Sequence, residues 1–337
     1  MEYNIAKNEF INKTILITGG SGSIGSEICM QIATLTPKKI VVFDICENTI
    51  FNTLQKFREQ YPLQNFDVVV GSIRDVDKIN ETFEKYKPDI VFHAAAHKHI
   101  LLMEQNPSEA IKNNIIGTYN VALAAKKQNT EKFVLISTDK AVNPTSVMGA
   151  SKKMCEMIIQ AFAKESETVF SAVRLGNVLG SSGSVLPIFI KQIKSGGPVT
   201  VTHPDVKRYF MSISEAAQLI IQASIYANGG EIFILDMGEP IKIYDLAKYA
   251  IKKYGNNKDI EIKFTGLKPG EKLDENLFTK EDNVTMTMHN KIFVTTPIPV
   301  DVNTIEEKLN VIKKALGKSN MDMKNIMKQE IPTYCPQ

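Results

Sequence analysis

The feature that most constrains the fold is a regular alternation of short β-branched runs with longer amphipathic segments, which begins at residue 13. Each run predicts a strand and each amphipathic segment predicts a helix. The predicted pairs are 14–18 with 23–34, 39–43 with 48–60, 66–70 with 75–86, 89–93 with 107–127, and 132–136 with 147–164. Alternation at this spacing is typical of βαβ units, so we expect an α/β fold whose parallel sheet has helices on both faces. Such a doubly wound sheet binds ligands at the carboxyl ends of its strands.

After residue 174 the alternation becomes irregular. Gly- and Ser-rich turns at 176–183 are followed by a predicted helix near 188–194, a strand pair around Thr200 and Phe210, and helices near 214–227 and 244–254. Because no low-complexity linker separates the halves, we expect a smaller mixed α/β lobe that packs on the sheet domain and closes over a cleft. The predicted domains are 1–175 for the sheet and 176–337 mainly for the lobe. The polar tail from about residue 317 is expected to be flexible.

The charge balance limits the partners. The chain has 337 residues, with 40 Lys and Arg against 37 Asp and Glu, and a formal net charge of +3. This balance, without a long basic block, gives no electrostatic reason to expect nucleic acid. The first residues contain no apolar signal region and no later stretch approaches the roughly 18 apolar residues of a membrane helix, so we expect neither export nor a membrane span. A small-molecule ligand and a cytoplasmic location are the remaining expectations.

Cysteine and histidine positions do not predict a metal site. The four cysteines lie far apart and form no C-x-x-C pair, which is typical of reduced thiols in a cytosolic protein. Three histidines cluster at positions 93, 97 and 99, but no clear carboxylate partner accompanies them. We therefore expect no metal centre.

The strongest local motif lies between the first predicted strand and the first predicted helix. Residues 18–25 read Thr-Gly-Gly-Ser-Gly-Ser-Ile-Gly, with a G-x-x-G-x-x-G spacing. Glycines at these points let the backbone turn tightly and approach a pyrophosphate, while the helix N-terminus faces the phosphates. The motif therefore predicts a Rossmann-type dinucleotide site. The expected contacts within it are Gly19, Ser21, Gly22, Ser23, Ile24 and Gly25.

Asp44 indicates which dinucleotide binds. It closes the second predicted strand about twenty residues after Gly25, where a carboxylate can accept hydrogen bonds from a ribose diol. The same carboxylate repels a 2′-phosphate, and no basic residue directly follows it, so NAD is favoured over NADP. Further cofactor contacts are expected from Ser72, Ile73, Ala94 and Ala95. Asp75 can cap the following helix at the same time, because such a cap does not prevent Ser72 and Ile73 from contacting the cofactor.

A second group of polar residues follows the fifth predicted strand, where the nicotinamide should lie. Ser-Thr-Asp-Lys at 137–140 places a hydroxyl, a carboxylate and an amine at one strand tip. Eight residues on, Met148-Gly-Ala-Ser-Lys152 opens the next helix, with Lys152 one turn above Met148. The alternative is that Asp139 caps a turn and Lys140 is a solvated amine.

These residues carry a resemblance to the extended branch of the short-chain dehydrogenase/reductase superfamily, whose members have Tyr-x-x-x-Lys where this chain has Met148 and Lys152. The motifs at 93–99, 113–118, 137–144, 148–152, 174–180, 208–211 and 268–272 look like those of the polysaccharide-biosynthesis dehydratases. The resemblance covers about 12–294. It is strongest to UDP-N-acetylglucosamine 4,6-dehydratases that keep the C5 configuration, many of which are tethered to a membrane. This chain resembles a short soluble version.

The resemblance implies a role for each residue of the strand tip. Lys140 is expected to be the base at sugar C5, Asp139 the acid at the C6 hydroxyl, and Thr138 a hydrogen-bonding partner at the C4 oxygen. Lys152 is expected to hold the nicotinamide ribose, and Met148 to form an apolar wall. An amine base needs a lowered pKa, which burial and Lys152 are expected to supply to Lys140.

The nucleotide-sugar contacts are expected from Lys98, Asn114, Asn177, Arg208 and Glu271. Arg208 suits a phosphate because a guanidinium can bind it bidentately, although an ion pair with a neighbouring carboxylate such as Asp205 is the alternative. Asn114 is equally open to a structural role.

Three rival functions remain at this point. A C5-inverting dehydratase or a C4-epimerase uses the same scaffold, and a catalytically idle NAD-binding scaffold is the alternative from another class. Met148 argues against the epimerase, and retention of Thr138, Asp139, Lys140 and Lys152 argues against the idle scaffold. A homo-oligomer is expected from the resemblance, because this superfamily commonly pairs two helices across a dimer interface.

Overall fold

The computed structural model describes residues 7–256, 259–298 and 300–336. The first half contains six strands, of which five were predicted and the sixth, β6, was not. They are β1 (Thr14–Thr18), β2 (Lys39–Asp44), β3 (Phe66–Val70), β4 (Ile90–His93), β5 (Lys132–Ile136) and β6 (Val169–Arg174).

The helices of the first half follow these strands. They are α1 (Ser23–Ala33), α2 (Glu47–Gln60), α3 (Val76–Tyr86), α4 (Ile100–Gln105), α5 (Pro107–Ala110), α6 (Gly117–Lys127) and α7 (Val147–Lys164). A π-helical turn, Ile111–Ile116, joins α5 to α6, so the helix predicted from Pro107 is continuous but widened in the middle. Asp75 caps α3 with its side chain, as the sequence allowed.

The second half mixes short strands with longer helices. The strands are β7 (Asn177–Leu179), β8 (Val199–Val201), β9 (Lys207–Arg208), β10 (Phe210–Ser212), β11 (Ile232–Leu235), β12 (Ile241–Lys242), β13 (Ile262–Phe264), β14 (Val284–Met286) and β15 (Ile292–Thr295). The helices are α8 (Val185–Lys194), α9 (Ile213–Tyr226), α10 (Ile243–Tyr254), α11 (Val302–Ala315) and α12 (Asn320–Glu330).

Among the described residues, nine strands form one sheet in the order β14-β15-β11-β6-β5-β4-β1-β2-β3. The strands from β11 to β3 run parallel, and only β15 and β14 are antiparallel. The strand order reverses beside β1, which is the switch point where a doubly wound sheet opens a crevice for a ligand. The α/β Rossmann-type fold predicted from the alternation is therefore confirmed.

The buried side chains alternate between the two faces of the sheet. In β1, Leu16 packs into one hydrophobic core with α3, α6 and α7, whereas its neighbours Ile15 and Ile17 pack into the other core with α1 and α9. A strand covered on both faces is apolar along most of its length, which explains the run Ile15–Ile17 in the middle of β1. A third, smaller core lies among α8, α10 and β8.

The second half is not separate from the sheet. Its strands β11, β14 and β15 extend the sheet beyond β6, so the sheet crosses the boundary predicted at residue 175. The small third core suits the predicted lobe, and the division into two domains stays a prediction. The predicted strands near Thr200 and Phe210 exist, but their pairing was wrong: β8 pairs with β13 and β10 pairs with β7.

The C-terminal segment packs on the sheet domain, in contrast to the flexible tail expected from about residue 317. Helix α12 begins at the Ser319 cap and buries Met323 and Met327. Beyond it, Ile331 and Tyr334 are also buried. The apolar spacing within a polar segment explains this packing, because a few side chains on one helix face suffice to dock it.

Within the described ranges, no helix combines the length and the apolar character that crossing a bilayer requires.

Candidate active site

The glycine-rich turn between β1 and α1 has the geometry that a dinucleotide needs. Gly19 has a φ of +66°, and a Cβ there would lie 2.6 Å from the amide nitrogen of Ala95. A Cβ at Gly25 would lie 2.3 Å from the Gly19 carbonyl oxygen. Gly22 caps α1 without a side-chain hydrogen bond, and the first turn of α1 carries no acidic residue. The amides at this helix end are therefore available to a phosphate, and the residues present fit the predicted cofactor.

Asp44 lies at the carboxyl end of β2, beside the same turn. Its carboxylate accepts hydrogen bonds from the amides of Ser21 and Cys46, each at 3.1 Å. These bonds hold the carboxylate at the strand tip, where the sequence predicted a ribose contact. Ser72 and Ile73 follow β3: the Ser72 hydroxyl accepts from an amide two residues on, and the Ile73 side chain is buried.

A cavity of about 760 Å³ runs along the carboxyl ends of the strands and into the second half of the chain. Its size lies within the range that is usual for ligand-binding pockets. The structure brings most of the predicted site residues together in its wall: Gly19, Gly22, Ser23, Ile24, Gly25, Ala94, Lys98, Thr138, Lys140, Met148, Lys152, Asn177, Arg208 and Glu271. The predicted site residues outside this lining are Ser21, Asp44, Ser72, Ile73, Ala95, Asn114 and Asp139.

Thr138, Asp139 and Lys140 form one hydrogen-bonded unit in the short turn after β5. Asp139 is fully buried, and its Oδ1 accepts from Thr138 Oγ1 at 2.8 Å and from Lys140 Nζ at 2.9 Å. Lys140 Nζ also donates to Asn177 Oδ1 at 3.1 Å. Thr138, rather than Asp139, caps the turn. The Lys140 side chain is only 16% exposed, so the alternative of a solvated surface amine does not fit.

The pKa expected for Lys140 was wrong. Burial lowers the pKa of this amine, but the carboxylates of Asp139 and Glu275 raise it by more, and the net direction is upward. Buried Lys152 does have a lowered pKa, and desolvation is the main cause. Two carboxylates beside one ammonium stabilise its charged form. The sequence analysis identified Asp139 as a neighbour of Lys140 but did not identify Glu275.

Met148 and Lys152 line the cavity from the first turns of α7. Both side chains are buried, with 3% and 5% of their surface exposed. Behind them His93 is fully buried, with the hydroxyls of Thr18 and Thr118 at 2.6 and 2.9 Å from its ring nitrogens. Burial, with a smaller effect of Lys152, lowers the pKa of His93 to about 3. His93 is therefore a neutral part of the wall behind the site.

Asn114 and Lys98 differ in their access to the cavity. Asn114 lies in the π-helical turn, where its amide donates to the His97 carbonyl and to Ser151 Oγ, and its Oδ1 accepts from the His97 amide at 2.7 Å. These bonds position the loop after β4, which favours the structural role for Asn114. Lys98 lines the cavity and donates to the Ser182 carbonyl at 2.8 Å, and burial lowers its pKa.

Arg208 is engaged by the chain itself. Its Nη1 donates to the carbonyls of Lys207 and Leu273, and its Nη2 donates to the Lys272 carbonyl at 2.7 Å and to Glu271 Oε1 at 3.4 Å. These four bonds occupy the guanidinium edge that a bidentate phosphate contact needs, so Arg208 clamps the 271–273 loop.

The sequence left open an ion pair of Arg208 with a neighbouring carboxylate such as Asp205. That carboxylate is Glu271, at 3.4 Å, whereas Asp205 pairs with Lys242 at 3.1 Å.

Two charged residues at the site were not among the predicted contacts. Glu275 is 4% exposed, and its Oε1 lies 3.8 Å from Lys140 Nζ. Lys272 lies 3.6 Å from Glu275 Oε2 and donates to the Val142 carbonyl. The charged run that begins at Glu271 indicated charged residues near the site. Its spacing, however, does not show which of its carboxylates is buried beside Lys140.

The described residues hold no group of three or more His, Cys, Asp or Glu side chains that could bind a metal ion. Arg74 Nη2 lies 3.0 Å from His97 Nε2, which accounts for one of the three clustered histidines.

Comparison with known proteins gives relatives along nearly the whole chain. The capsular polysaccharide biosynthesis protein CapD of Staphylococcus aureus is 50% identical over 94% of this chain and 54% of its own length. The probable polysaccharide biosynthesis protein EpsC of Bacillus subtilis is 54% identical over 82% of this chain and 46% of its own length. The chain therefore spans about half the length of these two relatives.

A solved structure supports the same relationship. The X-ray structure of Pen from Bacillus thuringiensis has a TM-score of 0.80 and 38% identity, and the match covers 87% of this chain and 91% of that one. The family model described as polysaccharide biosynthesis protein matches residues 15–297. Because that match takes in the glycine turn, the strand tip with Asp139 and Lys140, and the loop with Glu271, the chain belongs to the polysaccharide biosynthesis protein family.

Proposed function

We propose that the protein is an NAD-dependent nucleotide-sugar 4,6-dehydratase, which converts UDP-N-acetylglucosamine to UDP-4-keto-6-deoxy-N-acetylglucosamine. The observation that carries the proposal is the hydrogen-bonded unit of Thr138, Asp139 and Lys140, in which Thr138 and Lys140 line the cavity and Asp139 is buried directly behind them. It offers a carboxylate and an amine within hydrogen-bond distance of each other, which is what removal of a proton and loss of water from adjacent carbons require.

The cofactor part of the proposal rests on the glycine turn and Asp44. The turn would hold the pyrophosphate, the Asp44 carboxylate would accept from the adenosine ribose, and Lys152 would donate to the nicotinamide ribose. When bound, NAD accepts a hydride from C4 of the sugar and returns it to C6. Asp44 favours NAD over NADP because its charge repels a 2′-phosphate.

The first task of the chain's residues is to remove the C4 hydroxyl proton, which a Tyr usually does in this superfamily. Met148 cannot ionise, so the proton must go elsewhere. Thr138 lines the cavity and donates to buried Asp139. We assign Thr138 as the relay: it takes the C4 proton and passes its own to Asp139, which becomes a carboxylic acid.

The second task is elimination across C5 and C6. The ketone at C4 acidifies the C5 proton, and Lys140, as the free amine, takes it. Asp139 gives its proton to the C6 hydroxyl, which leaves as water, and Asp139 is a carboxylate again. Lys140 then returns a proton to C5. Each group ends the cycle in the protonation state in which it began.

The substrate part of the proposal uses the remainder of the cavity. Lys98 and Asn177 line it beside the strand tip, and Glu271 lines it on the far side. Arg208 contributes by holding the loop that carries Glu271. The names of CapD and EpsC, both polysaccharide biosynthesis proteins, support a nucleotide-activated sugar as substrate. A cytoplasmic location and a homo-oligomeric state stay predictions.

The test is incubation of the purified protein with UDP-N-acetylglucosamine and NAD in heavy water, followed by mass spectrometry and proton NMR. We expect loss of one water and deuterium at C5. The NMR coupling at C5 separates retention from inversion, and an unchanged mass with a changed C4 signal would indicate an epimerase. A third outcome would support the idle scaffold. In that case the parent protein turns over no UDP- or GDP-hexose, and only the Met148→Tyr variant shows turnover.

Two variants test the assigned roles. Lys140→Ala should abolish dehydration and C5 exchange, and Asp139→Asn should stall the reaction at or before elimination, each by a factor on the order of 10² to 10⁴. Lys127→Ala is the matched control, since it removes an exposed lysine far along α6. If both site variants turned over within about threefold of the parent, below the range of general acid–base effects, the assignment would be wrong.

A further inference from the structure

Glu275 brings a second buried carboxylate to Lys140. It lies in the loop after β13 and is 4% exposed, and its Oε1 is 3.8 Å from Lys140 Nζ. Its Oε2 is 3.6 Å from Lys272 Nζ. Four charged groups of alternating sign thus meet at the strand tip: Asp139, Lys140, Glu275 and Lys272.

Both carboxylates in this cluster have spare hydrogen-bonding capacity. Among the described residues, Asp139 Oδ2 and Glu275 Oε2 are buried oxygens without a hydrogen-bond partner. Lys140 uses two N–H groups on Asp139 and Asn177, which leaves the third for Glu275. Each of these two oxygens can therefore take a further hydrogen-bond donor.

The proposed elimination needs Lys140 as a free amine, yet the pKa of Lys140 is raised. Burial lowers that pKa, and the charge of Asp139, followed by that of Glu275, raises it. Once Asp139 has received the C4 proton, its charge is gone and the larger of the two raising effects disappears. The ammonium then has one carboxylate left beside it, on Glu275.

We propose that Glu275 is a positioning residue that takes one proton from Lys140 after Asp139 has been protonated, so that a free amine faces C5 of the sugar. An N–H bond of Lys140 breaks and an O–H bond of Glu275 forms, and the pair changes from two ions to two neutral groups. The ion-pair distance of 3.8 Å can shorten when neutral Asp139 no longer holds the amine. After elimination Asp139 is charged again, and Glu275 returns the proton.

This inference rests on the proposed dehydratase function, and it explains the order of the steps. Lys140 becomes a free amine only after C4 has been oxidised, because the proton released from the C4 hydroxyl neutralises Asp139. The sugar therefore meets the base at C5 only as the ketone, in which the C5 proton is acidic.

The experiment compares the parent, Glu275→Gln and Asp274→Asn with UDP-N-acetylglucosamine and NAD in heavy water. Asp274 is the matched control, because it is the neighbouring carboxylate and is exposed. Three readouts separate the steps: absorbance of reduced nicotinamide for C4 oxidation, deuterium at C5 for base action, and loss of water in the mass spectrum. NAD binding and thermal unfolding check that each variant is folded.

We expect Glu275→Gln to form reduced nicotinamide as the parent does, while C5 exchange and loss of water fall by a factor on the order of 10² to 10⁴. Raising the pH should restore part of the exchange, since hydroxide then takes the Lys140 proton. Asp274→Asn should match the parent. If Glu275→Gln does not fold, Glu275→Asp takes its place: it keeps the acceptor and should retain C5 exchange.

Two results would overturn the inference alone. In the first, the parent dehydrates the substrate and the rate of C5 proton exchange in Glu275→Gln is within about threefold of the parent's rate, or faster. Glu275 would then act only as a charge partner of Lys140. The other is a folded Glu275→Asp that oxidises C4 but has no C5 exchange. A parent that leaves UDP-N-acetylglucosamine unchanged in mass would instead overturn the proposed function, and this inference with it.

Discussion

At the scale of single residues, two opposing effects set the pKa values in the site: desolvation by burial and the charge of neighbouring groups. Burial lowers the pKa of Lys140, Lys152 and His93, but only Lys140 has carboxylates close enough to reverse the direction. A neighbouring charge outweighs burial when it lies within a few ångströms in a low-dielectric site. The pKa of Lys140 therefore depends on which of its neighbouring carboxylates is charged.

We expect Asp139→Asn to lower the pKa of Lys140, because it removes the larger of the two charges that raise it while burial is unchanged. The measurement is competitive labelling of the cofactor-free protein with acetic anhydride over a range of pH, with the extent at Lys140 read by mass spectrometry. Labelling of Lys140 should begin at lower pH in the variant, and exposed Lys127 serves as the internal reference. Unchanged or later labelling would contradict the charge argument.

His93 should make the folded state sensitive to mild acid. Its pKa is lowered to about 3 in the folded protein by burial and then by Lys152, whereas an unfolded histidine titrates near 6.5. Between these values the unfolded state binds the extra proton, so stability is complete above about pH 6.5 and declines as the pH falls. Urea unfolding at several pH values should show a shallower decline for His93→Asn. Parallel curves for parent and variant would count against a buried neutral histidine.

At the scale of secondary-structure elements, helix α7 is fixed to the sheet by a buried ion pair. Arg174 at the end of β6 donates from Nε and Nη2 to the two oxygens of Glu156, at 2.8 and 2.9 Å. Ser137, which precedes the turn with Asp139 and Lys140, donates to Glu156 Oε1 at 2.7 Å. The helix that carries Lys152 and the turn that carries Lys140 are thereby held to the same carboxylate.

Glu156→Gln should lower the free energy of unfolding by up to about 3–5 kcal/mol, the range for breaking a buried pair. It removes the carboxylate from Nε and Nη2 of Arg174 and leaves Asp282, 3.1 Å from Nη1, as the remaining ion-pair partner of Arg174 among the described residues. Replacing both residues, Glu156→Leu with Arg174→Met, should recover much of that loss. Denaturant unfolding of the three variants tests this. Burial raises the pKa of Glu156, but Arg174 outweighs it and holds the value at about 2, so the pair is kept from neutral pH down into strong acid. A loss below about 1 kcal/mol would mean that the pair is as weak as a surface one.

At the scale of the whole molecule, the C-terminal end of the described chain contributes to the site's surroundings. Helix α11 packs on α7 and on the π-helical turn, and helix α12 packs on α7 and α5. The Cys335 amide donates to the Pro144 carbonyl in the loop between Lys140 and α7. Lys324 of α12 pairs with Glu104, whose other oxygen accepts from the first amide of α7. The C-terminal segment thus packs against α7, the helix that carries Met148 and Lys152.

A matched pair of methionines in α12 measures that contribution. Met327 is fully buried, whereas Met321 is 67% exposed. Met327→Ala should lower the free energy of unfolding by about 2–5 kcal/mol, as for other buried Leu, Ile or Met truncations. Met321→Ala should change it by less than about 0.5 kcal/mol. Equal, small effects at both positions in urea unfolding would show that α12 does not dock as the structure describes.

Local patterns were enough for the framework. Strand and helix periodicity, and glycines at a turn, depend on neighbours within a few residues, so the parallel sheet, the glycine turn with Gly19 and Gly25, and the tip carrying Asp139 and Lys140 could all be predicted. Asn114 was left open because an amide serves equally well as a ligand or as a tie between loops. Its bonds to His97 and Ser151 show that it ties two elements together.

By itself, then, the sequence determined the fold class, the position of the cofactor turn and the residue types at the strand tip, because these follow from short-range spacing. Only the tertiary structure decided the partners: Glu275 beside Lys140, the carbonyls that engage Arg208, and α12 against the sheet domain. Partners of this kind come from distant segments of the chain, and a sequence pattern contains no distances between them. Since pKa values depend on such distances, the charge state of Lys140 followed from the packing and not from the motif.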